Sequence, residues 1–599
     1  MKKYKRLACV LAGSMLVSLC AGCTGTEDTG KEERNLSEES EASSEEDQIV
    51  KKADKQDIDQ VHLRDKDTLY ENDDDTSVVT MYLTVSKGNS SENTNHTWKE
   101  INSYSAYDYE DMGVDRYQVA ALLQVGDENG PTEGMVGYGE SVPNATVQIR
   151  GQTSSRNAQK NYKIELKKNK GTWRGQRTIN LNKHMTEGMR FRNKLAYDLL
   201  KGIPQLISLR TQFVHLYVRD TTDGSSDSEF EDYGLYTQVE QFNKTALKNH
   251  GLDANGQLYK VNSFEFYRYE DVIKLQDDPA YDSTAFEEML EIKGNTDNRK
   301  LIEMLDAVND YSIPIEKTLE SYFDVENLTY WMGFQILVGN VDTQNRNMYL
   351  YSPLNSDIWY LIPWDNDGCL FREEYNIRDF SDHGSWECGI SNYWGNVLFQ
   401  RCLKSDAFRE QLDKTILDLK EYLSEERLST MIQKYTKVVK PYLYEMPDAF
   451  YAPLTREQYD KLAASLPEEI EKNDQLYRES LNKPMPFYIG VPTVDGNKMK
   501  INWDPSYSFD ARDITYSVEV ARDYSFQDII CSQKELLIPE TEMELPEAGQ
   551  YFIRIRATDK NGNEQDAFDY YVTDEGKHYG MKCIYVTEDG QIEEDIYEE

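Results

Sequence analysis

The chain has 599 residues and a formal net charge of −41, and this length is typical of two to four domains. The acidic balance excludes a general nucleic-acid binder, since phosphate backbones require basic surfaces. Aromatic residues make up 12% of the chain, so a sizeable core is available, and the lack of a long apolar run after the N-terminal segment excludes a multispanning membrane protein.

The first 23 residues have the features of a lipoprotein signal peptide. Basic residues precede an apolar run over residues 7–22, and small residues stand directly before Cys23. We expect cleavage before Cys23 and a lipid on its thiol, which would hold the protein at the outer face of a bacterial cytoplasmic membrane. The alternative is an ordinary secreted protein. Residues 24–75 are acidic and poor in apolar side chains, which predicts a disordered tether.

Strands and helices are both predicted in the next segment, residues 76–483, which indicates an α+β domain. Alternating apolar residues predict strands, and apolar residues at a spacing of three to four predict helices. The predicted strands are 77–86, 145–151 and 161–168, and the predicted helical stretches are 190–203, 283–338 and 405–483.

The composition changes at residue 484, where short strand-like runs begin. Their spacing predicts a small all-β sandwich over residues 484–575. With Trp503 on an early strand and Tyr551 on a late one, the region resembles a fibronectin type III module. Residues 576–599 are rich in acidic side chains and are predicted to be a C-terminal tail.

Acidic and amide side chains flank a predicted hairpin in the middle of the chain. Asp342 and Asn347 precede strand 348–352, and Asp365 and Asp367 follow the returning strand. A hairpin brings its two ends together, so these groups are expected at one end of it. Carboxylate and amide oxygens suit divalent cations, and a carboxylate near a hydroxyl suits phosphoryl transfer. The alternative is that these are ordinary turn residues.

A polar turn between two predicted strands lies upstream. The run RGQTSS contains Gly151, Ser154 and Ser155, and the next strand carries Lys160 and Lys163. Such a turn can approach phosphates with its backbone and hydroxyl groups. Because the two lysines are three residues apart on a strand, only one of them can point into a cleft.

Several spaced motifs, in this order, resemble the CotH family, which is named for spore-coat protein H. The resemblance covers roughly residues 75–420 and is carried by RGQTSS, KNYKIEL, MRFRNKLAYDLL, YGLYTQVEQF, LYKV, YWMGFQILVGNVDTQNRNMYLY and LIPWDNDG. The resemblance implies a two-lobed domain like that of an atypical protein kinase, which transfers phosphate from ATP to Ser or Thr of a protein. Asn366 departs from the family, which more often has an aromatic residue there.

The resemblance also assigns roles to individual residues. Asp342 matches the catalytic aspartate, and Asn347, Asp365 and Asp367 match positions that would hold Mg²⁺ or Mn²⁺. The positions that would bind the nucleotide are Arg150, Gly151, Ser154, Ser155, Lys160 (preferred to Lys163) and Glu240, which lies near the position of a kinase hinge.

Two other functions compete with a kinase. A lipid-anchored surface or adhesion protein could keep the fold without catalysis, and a nucleotidyl transferase could use the same cation site. The expected partners are a protein acceptor with Ser or Thr, for which a basic protein suits the acidic body, and the membrane through the lipid alone. No nucleic-acid partner is expected, and the sequence leaves the oligomeric state open.

Overall fold

A computed structural model describes residues 62–224, 228–379, 383–510, 513–574 and 576–595. The predicted signal peptide, the lipid site at Cys23 and most of the predicted tether lie outside these residues. Within the described ranges, no helix combines the length and the apolar character that a membrane crossing requires.

The N-terminal part of the described chain is built on one large sheet that closes on itself. Strand β1 runs parallel to β7 and antiparallel to β2, and the order is β1-β7-β8-β6-β5-β4-β2-β3. The strands are β1 (Val78–Ser86), β2 (Val119–Asp127), β3 (Gly130–Pro131), β4 (Ala145–Arg150), β5 (Asn161–Leu166), β6 (Thr178–Asn182), β7 (Thr211–Asp220) and β8 (Glu231–Glu240).

Alternate residues of these strands fill a core of their own. Leu83, Val147 and Ile164 are fully buried in it, as expected where strand side chains alternate between two faces. Two short helices, α1 (Trp98–Ser103) and α2 (Ala106–Met112), cover this core, and both begin with a capping box.

A second sheet has the order β10-β9-β11-β12 and lies among helices. Its strands are β9 (Gln257–Val261), β10 (Leu290–Ile292), β11 (Met348–Ser352) and β12 (Tyr360–Pro363). The helices of this region are α3 (Arg192–Leu200), α4 (Lys244–Asn249), α5 (Ser283–Met289), α6 (Arg299–Asn309), α7 (Ile315–Tyr322), α8 (Val325–Leu337), α9 (Arg372–Arg378), α10 (Val397–Lys404), α11 (Asp406–Tyr422), α12 (Glu425–Leu443), α13 (Arg456–Ser465) and α14 (Glu469–Ser480).

Helix α8 is the centre of the largest core. It is apolar on nearly all sides, and its side chains Trp331, Phe334 and Leu337 are fully buried, as expected of a central helix. A Cβ at Gly333 would lie 3.1 Å from Leu419 of α11, so the glycine allows the two helices to approach closely. Because α8 is fixed by this packing, the loop that follows it starts from a defined position.

The C-terminal strands form a β module. One sheet is β13-β14-β17, another follows the path β16-β15-β18-β22-β23 with β19 beside β18, and β20 pairs with β21. The strands are β13 (Thr493–Asp495), β14 (Lys498–Asn502), β15 (Ile514–Ala521), β16 (Ile529–Leu536), β17 (Glu540–Glu544), β18 (Gly549–Asp559), β19 (Glu564–Asp566), β20 (Tyr570–Thr573), β21 (Gly576–Tyr579), β22 (Met581–Val586) and β23 (Ile592–Glu594).

The end of this β module differs from the sequence prediction. Residues 576–594, expected to be an acidic tail, contribute β21, β22 and β23. Met581, Cys583 and Ile584 are buried, so the scattered apolar side chains of this stretch outweigh its acidic composition. The module therefore extends beyond the predicted boundary at residue 575.

The start of the described chain also differs from its prediction. Residues 62–75, expected to belong to the tether, pack against the folded body: Leu63 is buried, and Asp65 accepts a hydrogen bond from His250 at 2.7 Å. Asp73 forms ion pairs with Arg174, Arg210 and Lys201. Acidic residues that composition assigns to a solvated spacer are here the partners of internal cations.

The described chain as a whole is a mixed α/β protein with one large sheet and several smaller ones.

Candidate active site

The hairpin predicted in the middle of the chain is confirmed, and it gathers the predicted site residues at one end. Strands β11 and β12 pair antiparallel with Met348 opposite Pro363, and the Trp364 N–H donates to the Asn347 carbonyl at 3.1 Å. The loop after α8 therefore meets the segment after β12. Asp342 and Asn347 lie on the first, and Asp365 and Asp367 lie on the second.

Asp342 and Asn347 form a pair at this end of the hairpin. The Asn347 side-chain amide donates to the Asp342 carboxylate at 2.8 Å and to its carbonyl at 2.9 Å. Asn347 has a φ of +56°, a left-handed conformation that asparagine tolerates better than most residues. The Asp342 side chain is 60% exposed. Asn347 thus holds a carboxylate that is open to solvent.

Asp365 lies deeper and faces several cations. Burial and the neighbouring Asp367 raise the pKa of Asp365 to about 7, whereas the charges of Arg150, His184 and Lys260 oppose this rise. Its backbone N–H donates to the Tyr197 hydroxyl at 3.1 Å. A half-buried carboxylate whose pKa is raised beside a second carboxylate is stabilised by an added cation.

His184 and Asn366 complete the surroundings of this carboxylate pair. His184 Nδ1 lies 3.7 Å from Asp367 Oδ2. Asn366 is buried, accepts from Gln335 of α8 at 3.0 Å and donates its N–H to Asn193 of α3 at 3.1 Å. Asn366 is therefore a member of a buried polar network.

Several buried polar atoms beside the two carboxylates lack a hydrogen-bond partner within the residues that the structure describes. They are His184 Nε2, Asn366 Nδ2 and both side-chain heteroatoms of Asn340. Such atoms are costly to bury unless water or a ligand pairs with them. Together with the carboxylates Asp365 and Asp367, they fit a site that binds a divalent cation with its water ligands.

The predicted polar turn lies beside this site through Arg150. Arg150 ends β4 and donates to Asn182, and its charge is one of those acting on Asp365. Gly151 has a φ of +90°, and a Cβ there would collide with the Ser154 hydroxyl. The turn therefore requires glycine at this position.

The two serines of the turn have internal partners. Ser154 Oγ accepts from the Asn161 amide at 3.0 Å. Ser155 is fully buried, donates to the Gln152 carbonyl at 2.5 Å and accepts from the first N–H of α2 at 2.8 Å. These contacts give both hydroxyls a part in shaping the turn, and their contact with a nucleotide stays a prediction.

Neither lysine considered from the sequence accounts for the cations around Asp365. Lys160 donates to the Ser155 carbonyl at 2.6 Å, and Lys163 lies 3.4 Å from Glu165. Lys260 of β9 is a lysine whose charge acts on Asp365, and burial lowers its own pKa. In register, Lys260 lies opposite Tyr349 of β11, and the only sequence signal for it was its place in the LYKV motif.

Glu240 is part of a buried ion-pair network. Its carboxylate accepts from Gln176 and His250, both at 3.0 Å, and from the Arg210 N–H at 3.2 Å. His250 also contacts Asp65 at 2.7 Å. These contacts give Glu240 a structural role. Its contact with a nucleotide stays a prediction.

This network predicts a pH dependence of stability. Burial disfavours the charge of His250, but hydrogen bonds to Asp65 and Glu240 outweigh burial and raise the pKa of His250 from 6.5 to about 9. The folded state therefore binds this proton more tightly than the unfolded state, so the stabilisation is complete below pH 6.5 and is lost as the pH rises through 9. We expect the wild type to melt at a higher temperature than His250→Gln at pH 6, and the difference between the two melting temperatures to shrink by pH 9.5. A difference that stays constant over this range would contradict the raised pKa of His250.

A further group of possible ligands lies at the other end of α8. His62, Asp324 and Glu326 offer ligand atoms within 4.8 Å of one another. Asp324 also caps α8 by accepting from the Asn327 N–H at 3.1 Å, and Glu326 pairs with Arg64 at 3.1 Å. These contacts give both carboxylates structural roles, and helix α8 separates the group from the hairpin site by about 20 Å.

Known proteins are similar to the part of the chain that contains this site. A family profile described as "CotH kinase protein" matches residues 147–477, more than half of the chain. The "Inner spore coat protein H" of Bacillus subtilis is 23% identical over 334 residues, which cover 54% of this chain and 83% of that protein.

A solved structure is also similar to part of the chain. It is the crystal structure of the Helicobacter pylori proinflammatory kinase CtkA, with 12% identity and a TM-score of 0.24 over 53% of this chain and 94% of that chain. The family profile spans the polar turn, helix α3, the hairpin and both carboxylate-bearing loops. The chain described here is a member of the CotH family.

Proposed function

We propose that this protein is an atypical kinase that transfers the γ-phosphoryl group of ATP to Ser or Thr of a surface or coat protein. The closed sheet of β1–β8 and the helical region with β9–β12 would be the two lobes of a kinase-like domain. Family membership supports a phosphotransferase, and the acceptor and the cation belong to the proposal.

One observation carries this proposal. The register of β11 and β12 brings an exposed carboxylate, Asp342, to the same end of the hairpin as the half-buried Asp365. The two environments differ, since Asp342 is open to solvent and Asp365 faces cations. Two carboxylates with different surroundings can take different parts in one reaction.

The residues divide into two groups by what they would contact. Asp342, held by Asn347, would orient the acceptor hydroxyl and accept its proton. Asp365, Asp367 and the Asn347 amide oxygen are the groups that would hold a divalent cation, which when bound neutralises phosphate charge. Arg150 and Lys260 would contact the phosphates of the nucleotide, since both are cations whose charges act on Asp365.

The setting of this activity follows from the sequence predictions. The protein would be held by lipid on Cys23 at the outer face of the bacterial cytoplasmic membrane, and the β module would be of the fibronectin type III kind. The acidic charge of the chain favours a basic acceptor. The described relative carries the name of a coat protein, which supports a location at a surface or coat.

The decisive experiment uses ATP labelled at either the α- or the γ-phosphate. The full chain would be incubated with Mg²⁺ or Mn²⁺ and a Ser-rich, basic polypeptide, with a matched reaction in excess EDTA. We expect label only from the γ-position and only without EDTA. Label from the α-position would establish a nucleotidyl transferase instead, and no label from either position with either cation would favour the non-catalytic assembly protein.

The candidate phosphate lysines have different surroundings, which allows a second test. Loss of a charge-assisted hydrogen bond to a phosphate lowers the rate by about 10- to 100-fold. We expect this for Lys260→Ala because the charge of Lys260 acts on Asp365. Lys160→Ala should have a smaller effect, since Lys160 contacts the Ser155 carbonyl. The measurement is the initial rate of γ-labelling at low ATP concentration, with the surface variant Lys437→Ala as control. A larger loss of rate for Lys160→Ala than for Lys260→Ala would identify Lys160 as the lysine that contacts the phosphates.

A further inference from the structure

The segment after the carboxylate loop connects the β module to the region of Asp342. We name residues 383–396 the bridging segment. Trp386 of this segment is buried, and its ring lies 5.0 Å from the ring of Phe568 and 6.0 Å from that of Tyr579, both in the β module. Ser385 accepts from the Gln565 amide at 3.1 Å. The segment is thus packed against the module by rings and by a hydrogen bond.

A second tryptophan provides another anchor. The ring of Trp394 lies 5.2 Å from Tyr507 and 5.8 Å from Phe509, residues that follow β14 in the module. Lys404 lies over the rings of Trp394 and Tyr507 at 5.2 and 5.4 Å. Aromatic pairs of this kind contribute about 0.5–1.5 kcal/mol each beyond their buried area, so the two anchors hold the bridging segment at both ends.

The other side of the bridging segment contacts the loop that carries Asp342. The Asn392 amide donates to the Val341 carbonyl at 3.0 Å, and the Asn396 amide donates to the Gln344 carbonyl at 2.9 Å. The Tyr393 and Thr343 hydroxyls lie 3.1 Å apart. These contacts act on residues directly before and after Asp342.

Burial makes these contacts costly to break. Asn392, Tyr393 and Asn396 are each less than 4% exposed. If the loop moved away, buried amide donors would lose their partners, and such loss is more costly than the net gain of one hydrogen bond. Asn396 also caps α10 through the Leu398 and Phe399 N–H groups, so its side chain cannot turn elsewhere without a second loss.

We propose that the β module positions the Asp342 loop through the bridging segment, with Asn392 and Asn396 as positioning residues. The module would then be a working part of the catalytic unit, and the acceptor side of the site would depend on its docking. The effect on catalysis rests on the proposed kinase function, whereas the effect on the loop itself does not.

The first test measures the loop without any activity. Phe568→Ala removes the ring that packs on Trp386, and Tyr579→Ala is a second, milder variant. Phe526→Ala is the matched control, because Phe526 packs in a separate cluster of the module with Phe552 and Met581. We expect hydrogen exchange of the amides in residues 341–345 to become roughly 3- to 10-fold faster in the first two variants and to stay unchanged in the control.

Each other outcome of this experiment overturns the proposal. Unchanged exchange in 341–345, with or without faster exchange in the bridging segment, would show that docking does not reach the loop. Equal acceleration in Phe526→Ala would show a general loosening of the module. If Phe568→Ala does not fold, Tyr579→Ala decides between the same outcomes.

The second test separates positioning from general damage once γ-transfer has been measured. We expect Phe568→Ala to lower kcat for the acceptor roughly 10- to 100-fold, since small misplacements of a reacting group have effects of this size, while KM for ATP stays as in the wild type. Trp386→Phe keeps a ring at the anchor and should restore most of the rate lost in Trp386→Ala. A parallel rise in KM for ATP, or no rescue by Phe, would contradict positioning of Asp342.

Discussion

Replacement of Asp365 by Asn is expected to lower γ-phosphoryl transfer by roughly 100- to 1000-fold without loss of stability. The amide keeps the size of the side chain but removes the charge that would hold a divalent cation. In the protein without cation this charge is costly, because burial and Asp367 raise the pKa of Asp365 from 3.8 to about 7. The folded state therefore favours the proton, and stability is lost as the pH rises from about 4 through 7.

The variant should thus melt at the same or a higher temperature than the wild type at pH 8, and this gain should disappear near pH 4. Mn²⁺ should raise the melting temperature of the wild type by mass action but not that of Asp365→Asn. The control is Asp495→Asn, whose carboxylate is exposed in the β module and pairs with Lys500. If Asp365→Asn transfers the phosphoryl group at the wild-type rate, Asp365 is not a ligand of the cation.

Replacement of Arg192 by Met is expected to destabilise the domain by about 3–5 kcal/mol, the usual result of leaving a buried charge without its partner. Arg192 is fully buried at the start of α3. It donates to Glu374 at 2.6 Å, to the Leu370 carbonyl at 2.9 Å and to Glu187 at 3.3 Å. Met has no charge, so the buried Glu187 and Glu374 lose the guanidinium that they share, and among the described residues Glu374 keeps only the partly exposed Arg378 as a cationic partner, at 3.0 Å.

The measurement for Arg192 is the urea midpoint of unfolding, followed by tyrosine and tryptophan fluorescence. The double variant Arg192→Met, Glu374→Gln should recover part of the lost stability, because the second change removes one of the two carboxylate charges that Arg192 pairs with. Arg299→Met serves as the control, since Arg299 is exposed and pairs only locally with Asp297. If Arg192→Met alone unfolds at the wild-type urea midpoint, the carboxylates of Glu187 and Glu374 do not depend on the Arg192 guanidinium for stability.

The parts of the site that lie close in sequence could be predicted. Asp342, Asn347, Asp365 and Asp367 are arranged around one hairpin, and a hairpin is specified by alternation and by its turn. The glycine of the polar turn is explained in the same way, since Gly151 has a left-handed conformation that the next residues of the turn require. Such features depend on neighbours in the chain and therefore appear as motifs.

Cations that face Asp365 from distant strands could not be ranked from the sequence. The position of Lys160 in a motif favours it as the phosphate contact, and in the structure its amine donates to the Ser155 carbonyl. The charge of Lys260 acts on Asp365 because β9 pairs with β11, a pairing between segments about 90 residues apart. Similarly, the acidic composition of residues 576–599 concealed the alternation of β22, and composition alone does not reveal which apolar side chains find a partner sheet.

The sequence by itself determined the family of this chain, the mixed α/β composition of its body, and the hairpin that collects the acidic groups. These properties depend on local periodicity and on motif order. Only the tertiary structure decided that Glu240 belongs to an internal ion-pair network and that the bridging segment packs on the β module through Trp386 and Trp394. The physical reason is that burial, pKa shifts and the satisfaction of buried hydrogen bonds depend on which distant segments pack together, and spacing along the chain does not encode this directly.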